Sequence, residues 1–406
     1  MNNTRNLLLL LLLIIGSIIS CQPGDDNPNP DPNPTPVVSG LKDGRLIYHG
    51  GVGYYNYSSY VLNINTTDGS VLSNEEYDLK RAIVQVRKTE TYYHLYNLAD
   101  NMLGGNQSIK DSLFTYNRTN GTKSLLKAFP YGNGAGAVLG NLLVKDSAGT
   151  IIAYNLSDFS VKWRYKIRSG SSAAFVTLTG DESSAYYMVY DSIFSLSLST
   201  GSLNWKIKFS GLFPVITDQH ILLFSLGYNL NAINKSTGAI AWSKALTSSN
   251  SFLPVYAADG KTLVYTSDNK YTLVNLSTGA DIWKISRADK LISFAISGDN
   301  IYALTDSARI NVFRLSDGQL LKQSDQLQTQ SLNYNGTALQ NAMIVADTAI
   351  ILNTNLKVMA IGKSSFTPIW SVNKNHTNLE FGSVATIMQL VLRDSVYLSN
   401  GVKYKL

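Results

Sequence analysis

Short runs of alternating apolar and polar residues, separated by turn residues, dominate the chain from about residue 37 onward. A period of two is typical of β-strands with one buried face, and this region shows no convincing helical period. Residues 196–209 show the unit most clearly: an alternating run, a Thr-Gly turn, and a tryptophan four residues after the glycine. The pattern predicts an all-β protein built from hairpins.

The unit recurs, and the position of its tryptophan provides a ruler along the chain. Five copies carry tryptophan at this position, and they contain every tryptophan in the sequence; with the weaker copies, the positions are Ser73, Leu125, Trp163, Trp205, Trp242, Trp283, Lys322 and Trp370. The mean spacing of about 42 residues is the length of one four-stranded propeller blade. We therefore expect the tryptophans to have a structural packing role.

The glycine of the turn can supply the positive φ that a tight hairpin needs. It is present in the clearest copies as Gly201, Gly238, Gly279 and Gly318. Phe159 and Phe366 replace it in two copies, which leaves the geometry of those turns open. In the copy that ends at Trp283, residues 251–257 are the expected inner strand.

The repeat predicts a single β-propeller over residues 37–406, with eight four-stranded blades, or seven if the divergent region 83–127 is irregular. The first copy, from about Arg45, lacks an inner strand. Residues 389–406 contain two short strand patterns, 396–398 and 402–406, but no turn and no tryptophan. We expect the two ends to complete one blade together, which would remove exposed sheet edges.

The first 20 residues have the features of a signal peptide, with Arg5 before an apolar core at residues 7–19. That core would span about 20 Å as a helix, too little for a hydrocarbon layer of about 30 Å. Ser20 and Cys21 resemble a bacterial lipoprotein signal box, which implies lipidation of Cys21. Residues 21–36 are rich in Pro, Asn and Asp and predict a disordered, semi-rigid tether.

The Thr-Gly turn with its following tryptophan resembles the repeat of pyrroloquinoline-quinone-type β-propellers, over about residues 45–370. That family includes quinone-dependent dehydrogenases and non-enzymatic lipoproteins, so the fold does not decide the activity. Within that family, the lipoprotein propellers of outer-membrane protein assembly are the most similar in architecture and in expected cellular location. Asp25 and Asp26 resemble the acidic export signal of surface lipoproteins in the Bacteroidetes.

Composition excludes several kinds of site. A single cysteine excludes an intramolecular disulfide and a cysteine-based zinc site, and the four histidines lie far apart: His49, His94, His220 and His376. The net charge is +6, and about +8 for the chain after residue 37, without the basic run typical of nucleic-acid binding. We predict no catalytic residue, metal or cofactor, and no nucleic-acid partner.

An Asp-Ser or Asp-Thr pair followed by an apolar or small residue occurs six times. It is similar to the O-glycosylation sequon of Bacteroidetes secreted proteins, but Asp-Ser also favours hairpin turns by bonding to the main chain. Both interpretations are kept. The candidate acceptors are Ser112, Ser147, Ser192, Ser307, Thr348 and Ser395.

These observations predict a lipid-anchored, monomeric, non-enzymatic propeller that binds a protein or glycan at the bacterial outer membrane, on the cell surface or the periplasmic face. A role in outer-membrane protein assembly is one form of this hypothesis. The alternative is a quinoprotein-like oxidoreductase or small-ligand-binding protein that uses the central funnel. Carboxylates converging on the funnel would favour the enzyme.

Overall fold

The structure is a computed structural model of the 406-residue chain. The chain divides into two units, Met1–Pro36 and Val37–Leu406, and every described residue lies in the second. The structure describes residues 41–52, 58–78, 80–86, 91–97, 111–116, 123–129, 136–147, 149–167, 176–189, 191–209, 211–225, 229–246, 259–266, 268–327, 343–354, 357–373, 387–392, 395–398 and 403–405.

The described residues contain no α-helix, and their strands form eight antiparallel sheets, numbered here in chain order. Sheet 1 contains β1 (Arg45–Val52), β2 (Ser58–Asn65), β3 (Val71–Asp78), β31 (Ile387–Leu392), β32 (Ser395–Leu398) and β33 (Lys403–Lys405). Sheet 2 contains β4 (Lys80–Val86), β5 (Thr91–Asn97), β6 (Asp111–Tyr116) and β7 (Lys123–Phe129). Sheet 3 contains β8 (Gly136–Leu139), β9 (Leu142–Ser147), β10 (Thr150–Asn155) and β11 (Val161–Lys166).

The remaining five sheets follow the same chain order. Sheet 4 contains β12 (Val176–Gly180), β13 (Ser184–Val189), β14 (Ser192–Ser197) and β15 (Leu203–Lys208), and sheet 5 contains β16 (Gly211–Ile216), β17 (His220–Ser225), β18 (Asn229–Asn234) and β19 (Ile240–Ala245). Sheet 6 contains β20 (Lys261–Thr266), β21 (Lys270–Asn275) and β22 (Asp281–Ser286). Sheet 7 contains β23 (Leu291–Ser297), β24 (Asn300–Thr305), β25 (Ile310–Arg314) and β26 (Leu320–Gln323), and sheet 8 contains β27 (Met343–Val345), β28 (Ala349–Asn353), β29 (Lys357–Gly362) and β30 (Pro368–Asn373).

Within sheets 2 to 8 the strands are joined in chain order as a series of hairpins. Neighbouring sheets contact each other through their first strands, for example β4 with β8, β8 with β12, and β23 with β27. In sheets 2 to 5, 7 and 8 the first strand is therefore the inner strand and the last is the outer strand. In sheet 6 the expected inner strand, residues 251–257, lies outside the described residues.

The two ends of the chain share sheet 1, as the sequence predicted. β31 pairs with β1 in antiparallel register, with Leu390 opposite Leu46, so a C-terminal strand extends the sheet on the side where the first copy lacks a strand. β32 and β33 continue beyond β31, so this sheet has six described strands instead of the expected four. β27 of sheet 8 contacts β32, which brings the last sheet against the first. The number of blades stays a prediction.

Burial follows the position of a strand within its sheet. The middle strand β13 is buried at every position, whereas the outer strand β15 buries only its tryptophan fully. A middle strand is covered on both faces because each sheet packs between two neighbours, and full burial of a large apolar side chain contributes about 1.5–3 kcal/mol. This arrangement of packed antiparallel sheets is a β-propeller.

Candidate functional site

The outer hairpin of each sheet contains a bulge at the position that the sequence ruler marks. The register of all eight described outer hairpins shifts by one residue there, and in five of them the residue at the bulge is tryptophan. Each indole N–H donates a hydrogen bond to a main-chain carbonyl of the next sheet. The pairs are Trp163–Leu198 (2.8 Å), Trp205–Lys235 (2.7 Å), Trp242–Leu276 (3.0 Å), Trp283–Leu315 (2.9 Å) and Trp370–Thr66 (2.8 Å).

Each of these indoles also packs on the turn glycine of the following sheet. Gly279 has a φ of 71°, and a Cβ added to it would lie 2.5 Å from Cγ of Trp242. Glycine is therefore required twice, for its left-handed backbone and for the close approach of the ring. The same relation joins Gly201 to Trp163, Gly238 to Trp205, Gly318 to Trp283 and Gly69 to Trp370.

Phenylalanine replaces the turn glycine where lysine replaces the preceding tryptophan. Phe366 lies in the outer turn of sheet 8, and Nζ of Lys322 in sheet 7 lies 4.6 Å from the centre of its ring. Phe159 follows Lys127 in the same way, at 5.6 Å. Both phenylalanines keep the left-handed backbone, with φ of 62° and 56°, and both amides bond to the carbonyl four residues earlier, as the turn glycines do. The turns that the sequence left open therefore have the glycine geometry.

The register corrects one position of the sequence ruler. Leu113 pairs with Lys127 and Phe114 with Leu125, so the bulge places Lys127, and not Leu125, at the tryptophan position. The outer hairpin of sheet 2 is two residues longer there than the glycine-to-tryptophan spacing of the other copies predicted. Leu125 is instead an exposed residue at the start of the outer strand.

A polar cluster joins sheets 4 and 5 at the ends of their strands. Asp181 Oδ2 accepts hydrogen bonds from Lys235 Nζ at 2.8 Å and from the Tyr186 hydroxyl at 3.2 Å. Burial disfavours ionisation of Asp181, but the bonds from Lys235 and from the Ser183 amide and hydroxyl outweigh it and lower its pKa to about 2. The ion pair therefore persists across the physiological pH range and fixes one sheet against the next.

His220 lies next to this cluster, between sheets 5 and 6, with 4% of its surface exposed. Burial lowers the pKa of its imidazole, a hydrogen bond with the backbone of Leu276 partly opposes this, and the charge of Lys235 lowers the pKa further. The histidine is consequently neutral at pH 7. The carbonyl of Leu276 also accepts the indole hydrogen bond of Trp242, so the side chains of His220 and Trp242 both bond to the backbone of Leu276.

Several of the basic residues that give the chain its positive net charge lie on outer strands. Lys162, Arg164 and Lys166 alternate along β11 and are exposed, whereas Trp163 between them is buried. Further basic residues occupy the outer strands of the sheets on either side, as Lys127 in β7 and as Lys206 and Lys208 in β15. The alternating basic residues of β11 are visible in the sequence, but the placement of Lys127, Lys206 and Lys208 on the outer strands of the neighbouring sheets follows only from the fold.

The candidate glycosylation residues lie at strand ends and in turns. Asp146, which precedes Ser147, accepts hydrogen bonds from the Gly149 amide and the Tyr187 hydroxyl, both at 2.9 Å, so this aspartate stabilises a hairpin. Ser147 is exposed, and Oγ1 of Thr348 is buried. Ser147 is the last residue of β9, Ser192 and Ser395 are the first residues of β14 and β32, and Ser112 is the second residue of β6, while Ser307 and Thr348 lie in turns.

Several predicted features fall outside the described residues. These include the signal peptide, Cys21, the tether and His376, and the side chains of His49 and His94 belong to the same group. Among the residues that the structure does describe, no cluster of His, Cys, Asp or Glu could hold a metal ion. The described inner strands contain no Asp or Glu. No helix in the described part of the chain is long and apolar enough to span a membrane.

A family model described as "Outer membrane protein assembly factor BamB" matches residues 190–403, slightly more than half of the chain. A search of curated proteins returns no match. The match includes the clearest sequence repeats and sheets 5 to 8, together with the C-terminal strands of sheet 1.

Solved structures share the fold at low sequence identity. Apo AztD from Citrobacter koseri superposes with a TM-score of 0.56 and 10% identity, covering 86% of this chain and 97% of that one. The dihydro-heme d1 dehydrogenase NirN gives 0.55 and 10%, covering 81% and 73%. The computationally designed Ika8 protein gives 0.52 and 12%, covering 80% and 96%. At such identities these structures indicate the fold and not an activity.

Proposed function

Because the chain belongs to the family of the outer membrane protein assembly factor BamB, we propose that it is a non-enzymatic binding scaffold at the bacterial outer membrane. The family match over residues 190–403 is the observation that carries this proposal. Its partner is a protein or a glycan, and outer-membrane protein assembly is the process that the family description suggests.

The interlocked sheets support a scaffold. Five indole hydrogen bonds and five glycine contacts join each tryptophan-bearing sheet to the next, and one of each joins sheet 8 to sheet 1. Such cross-links hold the turns and outer strands in fixed relative positions. A rigid surface of this kind loses little conformational entropy when a partner binds, which favours recognition.

We further propose that acylation of Cys21 anchors the protein to the membrane, with residues 22–36 as the tether. Acyl chains contribute about 0.8 kcal/mol per buried CH₂, so that several chains hold a protein stably where one does not. The proline-rich sequence of the tether would keep the propeller clear of the lipid surface.

Metabolic labelling with an alkyne fatty acid tests the anchor directly. The wild-type protein should incorporate the label and fractionate with the outer membrane, and Cys21→Ser should abolish both. Ser20→Ala is the matched control, because it keeps a small residue before the cysteine and should still be labelled. An unlabelled wild-type protein in the soluble fraction would contradict the lipid anchor.

Crosslinking in intact cells tests the scaffold role. The tagged wild-type protein should crosslink to specific outer-membrane proteins or glycans that a tagged, unrelated lipoprotein does not capture. Recovery of barrel-assembly subunits would support the assembly role, and recovery of glycan-uptake proteins would support a scaffold at the cell surface. Recovery of no specific partner, together with stoichiometric binding of a quinone, would overturn the scaffold proposal.

A further inference from the structure

β11 is the last strand of sheet 3, so one of its edges has no strand partner among the described residues. Its sequence, Val161–Lys166, alternates strictly between an apolar or aromatic residue and a basic residue. A free edge presents main-chain N–H and C=O groups that another extended chain can pair with.

Arg164 and Lys166 of β11 lie on the face that is turned toward sheet 2, whereas Lys162 is the extra residue of the bulge and has no cross-strand partner. Arg164 and Lys145 both pair with Ile152, so they share that face, whereas Trp163 packs toward sheet 4. Lys145 is buried and lies 5.5 Å from the ring of Phe129 in β7. Lys127 of the same strand occupies the place where a tryptophan would fill the space between the sheets. Basic side chains therefore flank the apolar cluster that packs between sheets 2 and 3.

Other outer strands satisfy their cations within the fold. Lys208 lies 3.6 Å from Asp191, and Lys206 lies over the ring of Phe194 at 4.9 Å. Asp281 contacts both Lys244 and Lys284. Within the described part of the chain, Lys162, Arg164 and Lys166 form no such ion pair, and the nearest acid in sequence, Asp158, bonds to Ser160 in the preceding turn.

We propose that the free edge of β11 binds an extended acidic segment of a partner polypeptide, which adds to sheet 3 as a further strand. Strand addition places residues of the incoming chain opposite those of β11, with Cβ atoms about 4.5–5.5 Å apart. Acidic side chains at alternate positions then lie opposite Arg164 and Lys166, in the part of β11 that follows the bulge. Apolar side chains at the intervening positions lie beside Trp163 and Tyr165.

Electrostatic repulsion disfavours pairing of β11 with the β11 strand of a second copy of the protein. Two such strands would place lysine and arginine opposite each other, which is the arrangement by which edge strands avoid self-association. The same residues select a strand of opposite charge. This inference rests on the proposed scaffold function and names the chemistry of the partner.

A synthetic peptide of alternating Glu and Val, with a fluorescent label, is the probe, and anisotropy at low and physiological salt is the measurement. The purified wild-type protein should bind it, with an affinity that falls as salt rises. A peptide of alternating Lys and Val should not bind. A version of the acidic peptide with alternate backbone amides N-methylated should lose most of its affinity, because it cannot complete the ladder of main-chain hydrogen bonds.

Arg164→Glu/Lys166→Glu should weaken binding about tenfold, since two cross-strand charge pairs become repulsive. Lys206→Glu/Lys208→Glu on β15 is the control, because it changes the net charge equally and should alter affinity less than about twofold. Circular dichroism and thermal unfolding confirm that both variants are folded.

Equal effects of the two double variants, or full binding of the N-methylated peptide, would overturn strand addition at β11. Binding of polygalacturonate or anionic vesicles in place of the peptide would assign the basic residues of β11 to another anion and would also overturn it. Because the peptide assay needs no membrane and no lipid, its failure is distinguishable from a failure of the scaffold proposal.

Discussion

The indole nitrogen of Trp370 donates a 2.8 Å hydrogen bond to the carbonyl oxygen of Thr66, although 304 residues separate the two in sequence. The same ring packs on Gly69. The last sheet therefore contacts the first sheet through the same indole hydrogen bond and glycine contact that join neighbouring sheets elsewhere. The first and last repeats are thus joined both by strand pairing in sheet 1 and by the contact of Trp370 with Thr66 and Gly69.

Trp370→Phe should destabilise the protein by about 1–2 kcal/mol, because the carbonyl of Thr66 loses its buried donor while an aromatic ring is retained. Thermal unfolding and urea titration measure the change, and limited proteolysis should cut earlier within β1–β3. Trp283→Phe is the matched control, because it removes the equivalent hydrogen bond to Leu315 between two sheets that are consecutive in sequence. An unchanged midpoint for Trp370→Phe, with a lowered one for Trp283→Phe, would show that the contact between the first and last repeats does not contribute.

Gly279→Ala should cost substantially more stability than Gly260→Ala. Both glycines have a left-handed φ, 71° and 68°, so both substitutions introduce a similar backbone strain of about 1 kcal/mol. Only at Gly279 would the new Cβ meet a ring, at 2.5 Å from Trp242, whereas nothing lies within 4 Å at Gly260. Urea denaturation should show an additional loss of about 1–3 kcal/mol at Gly279. Equal losses would mean that the indole moves at little cost.

Lys322 and Phe366 should behave as an exchangeable pair. Lys322→Trp alone should destabilise the protein, because an indole at that position meets the Phe366 ring where the other sheets have glycine. The double variant Lys322→Trp/Phe366→Gly should recover the wild-type midpoint, with a coupling free energy of about 1–3 kcal/mol in a double-mutant cycle. Additive effects would refute the pairing. Lys127 and Phe159 offer the same exchange at a second site.

Protonation of His220 should destabilise the protein progressively as pH falls below about 6.5. Because burial holds the folded-state pKa of this imidazole below its ordinary value, its stabilising contribution is complete above about pH 6.5 and declines as pH falls. The Asp181 carboxylate, whose pKa is about 2, contributes its stability down to about pH 4 and loses it only below. His220→Gln should therefore flatten the pH dependence of the unfolding midpoint in this window. An unchanged slope would contradict the assignment.

Several features of the fold were predictable because they are local. Alternation and turn residues predicted the strands, and the spacing of Trp163, Trp205, Trp242, Trp283 and Trp370 predicted their common place in the repeat. The incomplete copies at the two ends predicted the shared sheet, and the pairing of β1 with β31 confirms it. A left-handed Phe366 was not predictable, since the turn alone favours glycine and only the lysine of the preceding sheet makes room for a ring.

By itself, the sequence determined the all-β class and the turns at which each outer hairpin reverses, because these depend on residues fewer than ten positions apart. It determined the repeat length as well, because the same short motif recurs at regular intervals. Tertiary structure decided which side chains meet. Packing of one sheet on the next put Asp181 beside Lys235, Lys322 beside Phe366 and Lys127 beside Phe159. Contacts of this kind join different repeats, and a pattern within one repeat carries no information about its neighbour across the interface.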